Sequence, residues 1–254
     1  MALPDPIPSL NRFSMLIVNN NRSKAYLQTL IKERFVPERA ILLEDPKTVL
    51  PENERLAASS EKRVRRCEEA DIEFDEAETV AVTLDKNRIP YETVNTVDIN
   101  SGEVIDRVRN CPTEYLVYSG PGGFILKKEL LSAGKIFIHV HAGWLPEYRG
   151  STAFYYSLLA ERSLACSVIF FEEELDGGPV FLRRRFVPGP TKDIDLLLDP
   201  AMRAATLIEF FKSNFNRSPK EILRQDPEQG NTFYIIHPVL KHLAILSGKK
   251  AVSC

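Results

Sequence analysis

Two histidines, His139 and His141, sit two residues apart at the end of the apolar run 135–140, and a loop punctuated by Pro146 and Gly150 follows them. Alternate residues of a strand share a face, so the two imidazoles can converge. Asp176 enters a second tight turn, Asp-Gly-Gly, 35 residues beyond His141. A carboxylate and two imidazoles delivered by strand ends form a candidate reaction centre in which protons can be taken, held and returned. The same three side chains are a two-histidine, one-carboxylate set that could also hold zinc, iron or manganese with coordination positions left open.

The elements that must position these groups follow from periodicity. Residues 13–18 read as a strand, 19–23 as a polar turn, and the segment to about residue 33 as a helix with Tyr26, Leu27, Leu30 and Ile31 as its apolar stripe. Residues 39–43 form a second strand, which completes a β-α-β opening. Further strands are expected at 91–94, 115–118, 135–140, 165–171 and 180–186, and helices near 79–86, 102–109, 127–131, 152–161 and 194–211. Strands alternating with helices imply an α/β, Rossmann-like fold, a mostly parallel doubly wound sheet with helices on both faces. Ligands in such sheets collect beyond the carboxyl ends of the strands, where both histidines lie.

Organisation along the chain is expected as a flexible proline-bearing arm over 1–12, a catalytic domain over 13–190, and a helical and extended segment over 191–254 that packs on the same domain. A charged insertion interrupts the domain near 45–77, where basic residues 62–66 face the acidic run 68–78 and suit a solvated helix. The arm lacks the basic start and apolar core of a signal peptide, and no apolar run approaches the roughly 18 residues of a membrane span. Four cysteines without a CxxC pair point to a reducing, cytoplasmic setting. With 33 Lys+Arg against 35 Asp+Glu, neither a nucleic acid nor a membrane is expected as partner. Arg183, Arg184 and Arg185 read as a solvated strand. His237 and His242, in the apolar stretch 234–244, read as surface or interface residues, and that stretch with the 180–186 strand offers surfaces for a homodimer.

Taken together, His139-Val-His141, Leu145-Pro146, Arg149-Gly150 and Asp176-Gly-Gly178 resemble the motif set of the 10-formyltetrahydrofolate-dependent formyltransferases, a family that includes the glycinamide ribonucleotide, methionyl-tRNA and amino-sugar enzymes. The resemblance is best over residues 115–187. It implies transfer of a formyl group from 10-formyltetrahydrofolate, as co-substrate, to the amine of a small molecule such as an amino sugar, a phosphorylated amine or a natural-product intermediate. It makes His139, His141 and Asp176 the catalytic set, with a donor aimed at the oxyanion of the tetrahedral state and Asp176 orienting the imidazole or a water. It implies a cofactor wall of Phe124, Ile125, Leu126, Leu145, Glu174 and Leu175, and a substrate side of Asn20, Arg22, Ser23, Trp144 and Arg149. The glycines of 119–126 do not complete a dinucleotide fingerprint, because Ile125 stands at the last glycine position. Asn20, Arg22 and Ser23 at the first strand-to-helix turn could meet a phosphate, with plain helix capping as the competing reading.

Two departures from the family pattern carry consequences. His139 replaces an asparagine, exchanging a neutral amide donor for an imidazole whose donation depends on tautomer and pH. Gly143 and Trp144 stand where the methionyl-tRNA enzymes commonly have Ser and Leu, so the indole could stack on a pterin or simply pack. Two further activities remain compatible with these residues: hydrolysis of the formyl donor, with or without a metal on the His-His-Asp set, and ligand binding without catalysis.

Overall fold

The computed structural model describes residues 12–47, 62–120, 123–189, 193–213, 222–226 and 228–249. Residues 1–11 of the proline-bearing arm and residues 48–61 of the charged insertion therefore lie outside the described residues.

The strands are β1 (Phe13–Val18), β2 (Ala40–Glu44), β3 (Val64–Cys67), β4 (Ile72–Asp75), β5 (Tyr91–Asn95), β6 (Tyr115–Ser119), β7 (Ile136–His141), β8 (Tyr148–Gly150), β9 (Leu164–Phe170), β10 (Val180–Phe186) and β11 (Asn231–Phe233). The helices are α1 (Asn21–Lys32), α2 (Val80–Lys86), α3 (Gly102–Arg109), α4 (Lys128–Leu131), α5 (Ala153–Glu161), α6 (Asp199–Ser213) and α7 (Pro238–Lys249). Seven strands form one sheet in the order β10-β9-β7-β6-β1-β2-β5. Pairings from β7 through β6, β1 and β2 to β5 are parallel, and β9 with β10 is antiparallel. The chain leaves β1 for β2 on one side and later reaches β6 on the other, so β1 and β6 flank the point at which strand order reverses.

Two compact units divide the chain, Met1–Arg65 with Glu73–His139, and Arg66–Ile72 with Val140–Cys254. In the first, Met15, Leu16 and Ile17 of β1 are fully buried, as the continuous apolar run of a strand covered on both faces requires. α1 starts at Asn20, whose side chain accepts from the Ser23 N–H, and it buries Tyr26, Leu27 and Leu30. In the second, β9 is buried throughout, and α6 packs Ala204, Leu207, Phe210 and Phe211 inward. Phe181 bridges the layers, with its ring centroid 4.0 Å from Phe170 and 6.0 Å from Phe210.

The charged insertion differs from its expected helix. Residues 64–75 form the hairpin β3-β4. Ile72 and Phe74 are buried while Glu73 is exposed, a period of two rather than 3.6. Its charges pair across the hairpin, with Arg65 3.1 Å and Arg63 3.4 Å from Glu76, and Arg66 2.8 Å from Asp71. Gln28 of α1 clamps the Asp75 backbone from both sides, donating to its carbonyl at 3.0 Å and accepting its N–H at 2.7 Å. The helix expected at 194–211 is a π-helical turn, Ile194–Leu198, running into α6, where Pro200 fits the first turn because it has no N–H to satisfy. The stretch around His237 and His242 forms α7, with both histidines exposed. Among the described residues no helix is long and apolar enough to cross a membrane.

Candidate active site

β7 ends in His139-Val140-His141, and Val140 is fully buried between the two imidazoles. Arg203 of α6 donates to the Val140 carbonyl at 2.5 Å and is itself held by Asp199 at 2.8 Å, which fixes the end of the strand. His141 is 4% exposed. Its Nε2 lies 2.7 Å from the Tyr148 carbonyl oxygen, and a carbonyl only accepts, so Nε2 carries a proton. Its Nδ1 faces Asp176 Oδ2 at 3.4 Å. Asp176 is 6% exposed and Oδ2 also accepts the Gly150 N–H at 2.8 Å. The His141 Nδ1 and the Asp176 carboxylate thus face each other in a buried setting, a pairing through which a proton can pass.

The loop residues follow from this geometry. At Gly143 a Cβ would lie 2.7 Å from His141 Nε2 and 2.6 Å from the Tyr148 oxygen, so a side chain there would press on the bond that orients the ring. Gly150 has φ +88 and a Cβ would collide with the Phe233 carbonyl, because β11 pairs with β8 at this residue. Ser167 supports the loop between them, accepting from Leu145 N at 3.1 Å and donating to Gly143 O at 2.7 Å.

His139 is half-buried, more accessible than His141, and its ring centroid is 6.0 Å from that of Tyr118 at a tilt of 52°. His139, His141 and Asp176 each bring one ligand-capable atom within 4.8 Å of the others, so the set is compact enough for a metal as well as for proton transfer.

The other residues singled out in the sequence divide sharply. Phe124, Ile125 and Leu175 are 45%, 62% and 44% exposed. Glu174 is exposed. Leu126 is buried, and Leu145 lies fully inside a cluster with Ile169, Val180 and Phe171. The half-buried Trp144 has the Arg183 and Arg185 guanidinium carbons 4.4 and 4.3 Å from its ring centroid. Arg183, half-buried, and Arg185, exposed, share one face of β10 as alternate strand residues do, and both stack on the indole. Arg149 is buried, donating at 2.9 Å to the Asp226 carbonyl and at 3.4 Å to the Gln225 side chain. In the first unit, Arg22 donates to Ser119 Oγ at 3.2 Å and to the Gly120 carbonyl, and Ser23 Oγ bonds the Ser119 carbonyl and hydroxyl at 3.0 and 2.9 Å. Ser167, Arg203 and Gln225 carried no motif, since each reaches the site through bonds to residues 22 or more positions away.

A doubly wound sheet bearing an imidazole-carboxylate pair where a strand meets its loop defines an α/β enzyme-like fold, and that fold is the one found in formyltransferases. A phosphoribosylglycinamide formyltransferase from Streptococcus pneumoniae superposes with a TM-score of 0.53 at 15% identity, covering 81% of this chain and 99% of that one. A sugar 3N-formyl transferase determined in the presence of dTDP and 5-N-formyl-THF gives 0.50 at 14% identity, covering 88% of this chain and 69% of that one. In sequence the chain is similar to the methionyl-tRNA formyltransferase of Clavibacter sepedonicus, 27% identical over 177 residues, 67% of this chain and 57% of the relative. The matches span between 25% and 57% of the length of the curated relatives. No family model matches the chain.

Proposed function

We propose that the protein is an N-formyltransferase that moves a formyl group from 10-formyltetrahydrofolate to the amine of a small molecule. The observation that carries this reading is the buried His141-Asp176 pair, tautomer-fixed by the Tyr148 carbonyl and anchored by the Gly150 N–H. The folate supplies an electrophilic formyl carbon. Phe124 and Ile125 offer exposed apolar faces that suit its pteridine. The incoming amine forms a C–N bond as the bond to the donor nitrogen breaks, so one proton must leave the amine and one must reach the tetrahydrofolate nitrogen. Asp176 and Nδ1 of His141 take and return that proton. His139, the more accessible imidazole, is assigned to donate to the formyl oxygen in place of an amide. The near-zero net charge of −2 favours a small amine over a polyanionic acceptor.

Titration calorimetry with 5-formyltetrahydrofolate, followed by a transfer assay over amino sugars and phosphorylated amines, tests the reading. His141→Ala and Asp176→Asn should each lower kcat by roughly 10²- to 10⁴-fold with folate affinity largely kept. Formate release without an acceptor would reassign the site to hydrolysis. Absence of any folate binding would sink the proposal.

As partner, we infer a second copy of this chain on the outer face of α7. Val239, Leu243 and Leu246 stay 59%, 47% and 41% exposed at helical spacings of four and three, beside Tyr234 and Ile235 at 81% and 76%. Two such faces would bury on the order of 1,200 Å², the lower end for a stable dimer. Sedimentation equilibrium should report a dimer that Leu243→Glu converts to monomer.

A further inference from the structure

Asp176 is held from two sides, and one of them comes from a segment with no motif. Its carboxylate accepts the Gly150 N–H, while its carbonyl oxygen accepts a 2.7 Å bond from the Gln225 side-chain amide. The same Nε2 donates its second hydrogen to the Gly178 carbonyl at 2.6 Å. Gln225 Oε1 accepts from Arg149 Nε at 3.4 Å, and Arg149 Nη2 donates to the next carbonyl, that of Asp226, at 2.9 Å. Both hydrogens of the amide and its oxygen are thereby used. The backbone on either side is stitched to the same two loops. Leu223 exchanges hydrogen bonds with Val180 at 2.9 and 3.0 Å, Asn231 N donates to Glu147 O at 3.1 Å, and β11 pairs with β8.

Asp176 needs such restraint. Its φ is +51, a left-handed conformation that a residue with a Cβ adopts at a cost of about 1 kcal/mol or more. Pinning the carbonyls of Asp176 and Gly178 fixes both ends of the turn, and so the direction in which the carboxylate leaves the backbone. The remaining fixed point, Gly150, belongs to the loop that Arg149 ties to the same segment. Resting on the reading of Asp176 as the proton-handling carboxylate, we propose that Gln225 is a positioning residue. With Arg149 it forms a clasp that joins the Asp176 turn to the Arg149-Gly150 loop and sets the Asp176-to-His141 approach.

Gln225→Ala and Gln225→Glu separate positioning from mere filling of space. Glutamate keeps the size and strengthens the contact with Arg149, but it has no hydrogen to give and sets a negative charge against two carbonyl oxygens. Both variants should lose kcat by about ten- to a hundredfold, as a displaced catalytic group does, with the KM for the formyl donor nearly unchanged. Independently of turnover, the His141 ring resonances in ¹H–¹⁵N spectra should move in both variants, since the carboxylate at Nδ1 is displaced. If the two variants lower thermal stability while leaving the His141 resonances in place, the clasp is structural only and the proposal fails. A wild-type protein without transfer activity would remove the formyltransferase reading, and the spectra would still decide whether Gln225 sets the His141-Asp176 geometry.

Discussion

The junctions after β1 and after β7 both sit at carboxyl ends of parallel strands, and both are rich in polar side chains, yet they are built in opposite ways. After β1, Asn20 caps its own helix, while Ser23 and Arg22 bond to Ser119 and Gly120 at the end of β6. The side chains themselves form the closure. After β7, the groups that orient the imidazole and the carboxylate are backbone, the Tyr148 carbonyl and the Gly150 N–H, while the Arg203 and Gln225 side chains pin the carbonyls of Val140, Asp176 and Gly178 from outside the pair. There the imidazole meets the Tyr148 carbonyl and the carboxylate meets the Gly150 N–H, and the two groups face one another. A polar strand end is thus a weak indicator of a site by itself; what distinguishes one is whether the backbone or the functional side chain satisfies the local hydrogen bonds.

The largest effect should come from breaking the backbone closure. In Gly150→Ala the new methyl group meets the Phe233 carbonyl in a left-handed backbone, so the β8-β11 pairing and the N–H that holds Asp176 are displaced together. Strain and lost hydrogen bonds add to roughly 3 kcal/mol of destabilisation, and transfer should fall as far as in Asp176→Asn. Denaturant unfolding and turnover of the folded fraction measure the two separately. Full activity in a folded Gly150→Ala protein would show that the carboxylate does not depend on this backbone, and the contrast between the junctions would collapse.

Substituting the β1 junction should do the reverse. Ser23→Ala and Arg22→Ala remove buried or half-buried hydrogen bonds, each costing about 1–3 kcal/mol of stability, with kcat unchanged for the folded protein. A rise in the acceptor KM without loss of stability would instead assign these residues to the substrate, the phosphate-binding alternative for this turn.

The sequence was most informative where signals are local. Apolar runs located five parallel strands of the sheet, and the spacing of His139, His141 and Asp176 marked three side chains whose ligand atoms lie within 4.8 Å of one another. Charge pairing misled at residues 64–75, because Arg65 and Glu76 meet across a hairpin as readily as along a helix; the alternation of Ile72, Glu73 and Phe74 was the better signal. Trp144 is read as an open stacking surface only until Arg183 and Arg185 are placed over it. Gln225, 49 residues from Asp176, had nothing local to mark it. Long-range clasps of that kind are legible only in three dimensions.

The smallest effect is electrostatic and separates the two regions at alkaline pH. Burial pushes the Tyr115 and Tyr118 hydroxyls of β6 up to about 12. Around the β7 loop, burial and then the hydrogen bond to Glu161 do the same for Tyr148, also to about 12, and Tyr155 is raised further by burial and Asp195. A raised phenol is protonated in the folded chain after the unfolded chain has released its proton, near pH 10. Its contribution is therefore complete below about pH 10 and is lost as pH climbs through 12. Lys24, lowered by burial against the carbonyl of Glu76, has the opposite sign, since the folded chain gives up that proton first. Cys67 and Cys166, whose thiols burial pushes up to about 12, act with the phenols, so one ammonium against four phenols and two thiols leaves stability falling above about pH 9. Tyr118→Phe should flatten this fall while leaving stability at neutral pH little changed, whereas Tyr148→Phe also removes the 2.9 Å bond to Glu161 and should lose stability at every pH. Urea midpoints from pH 8 to 11 measure both. Identical profiles for the two variants would mean that burial alone governs both phenols, and that the loop carrying Gly150 gains nothing from its tie to Glu161.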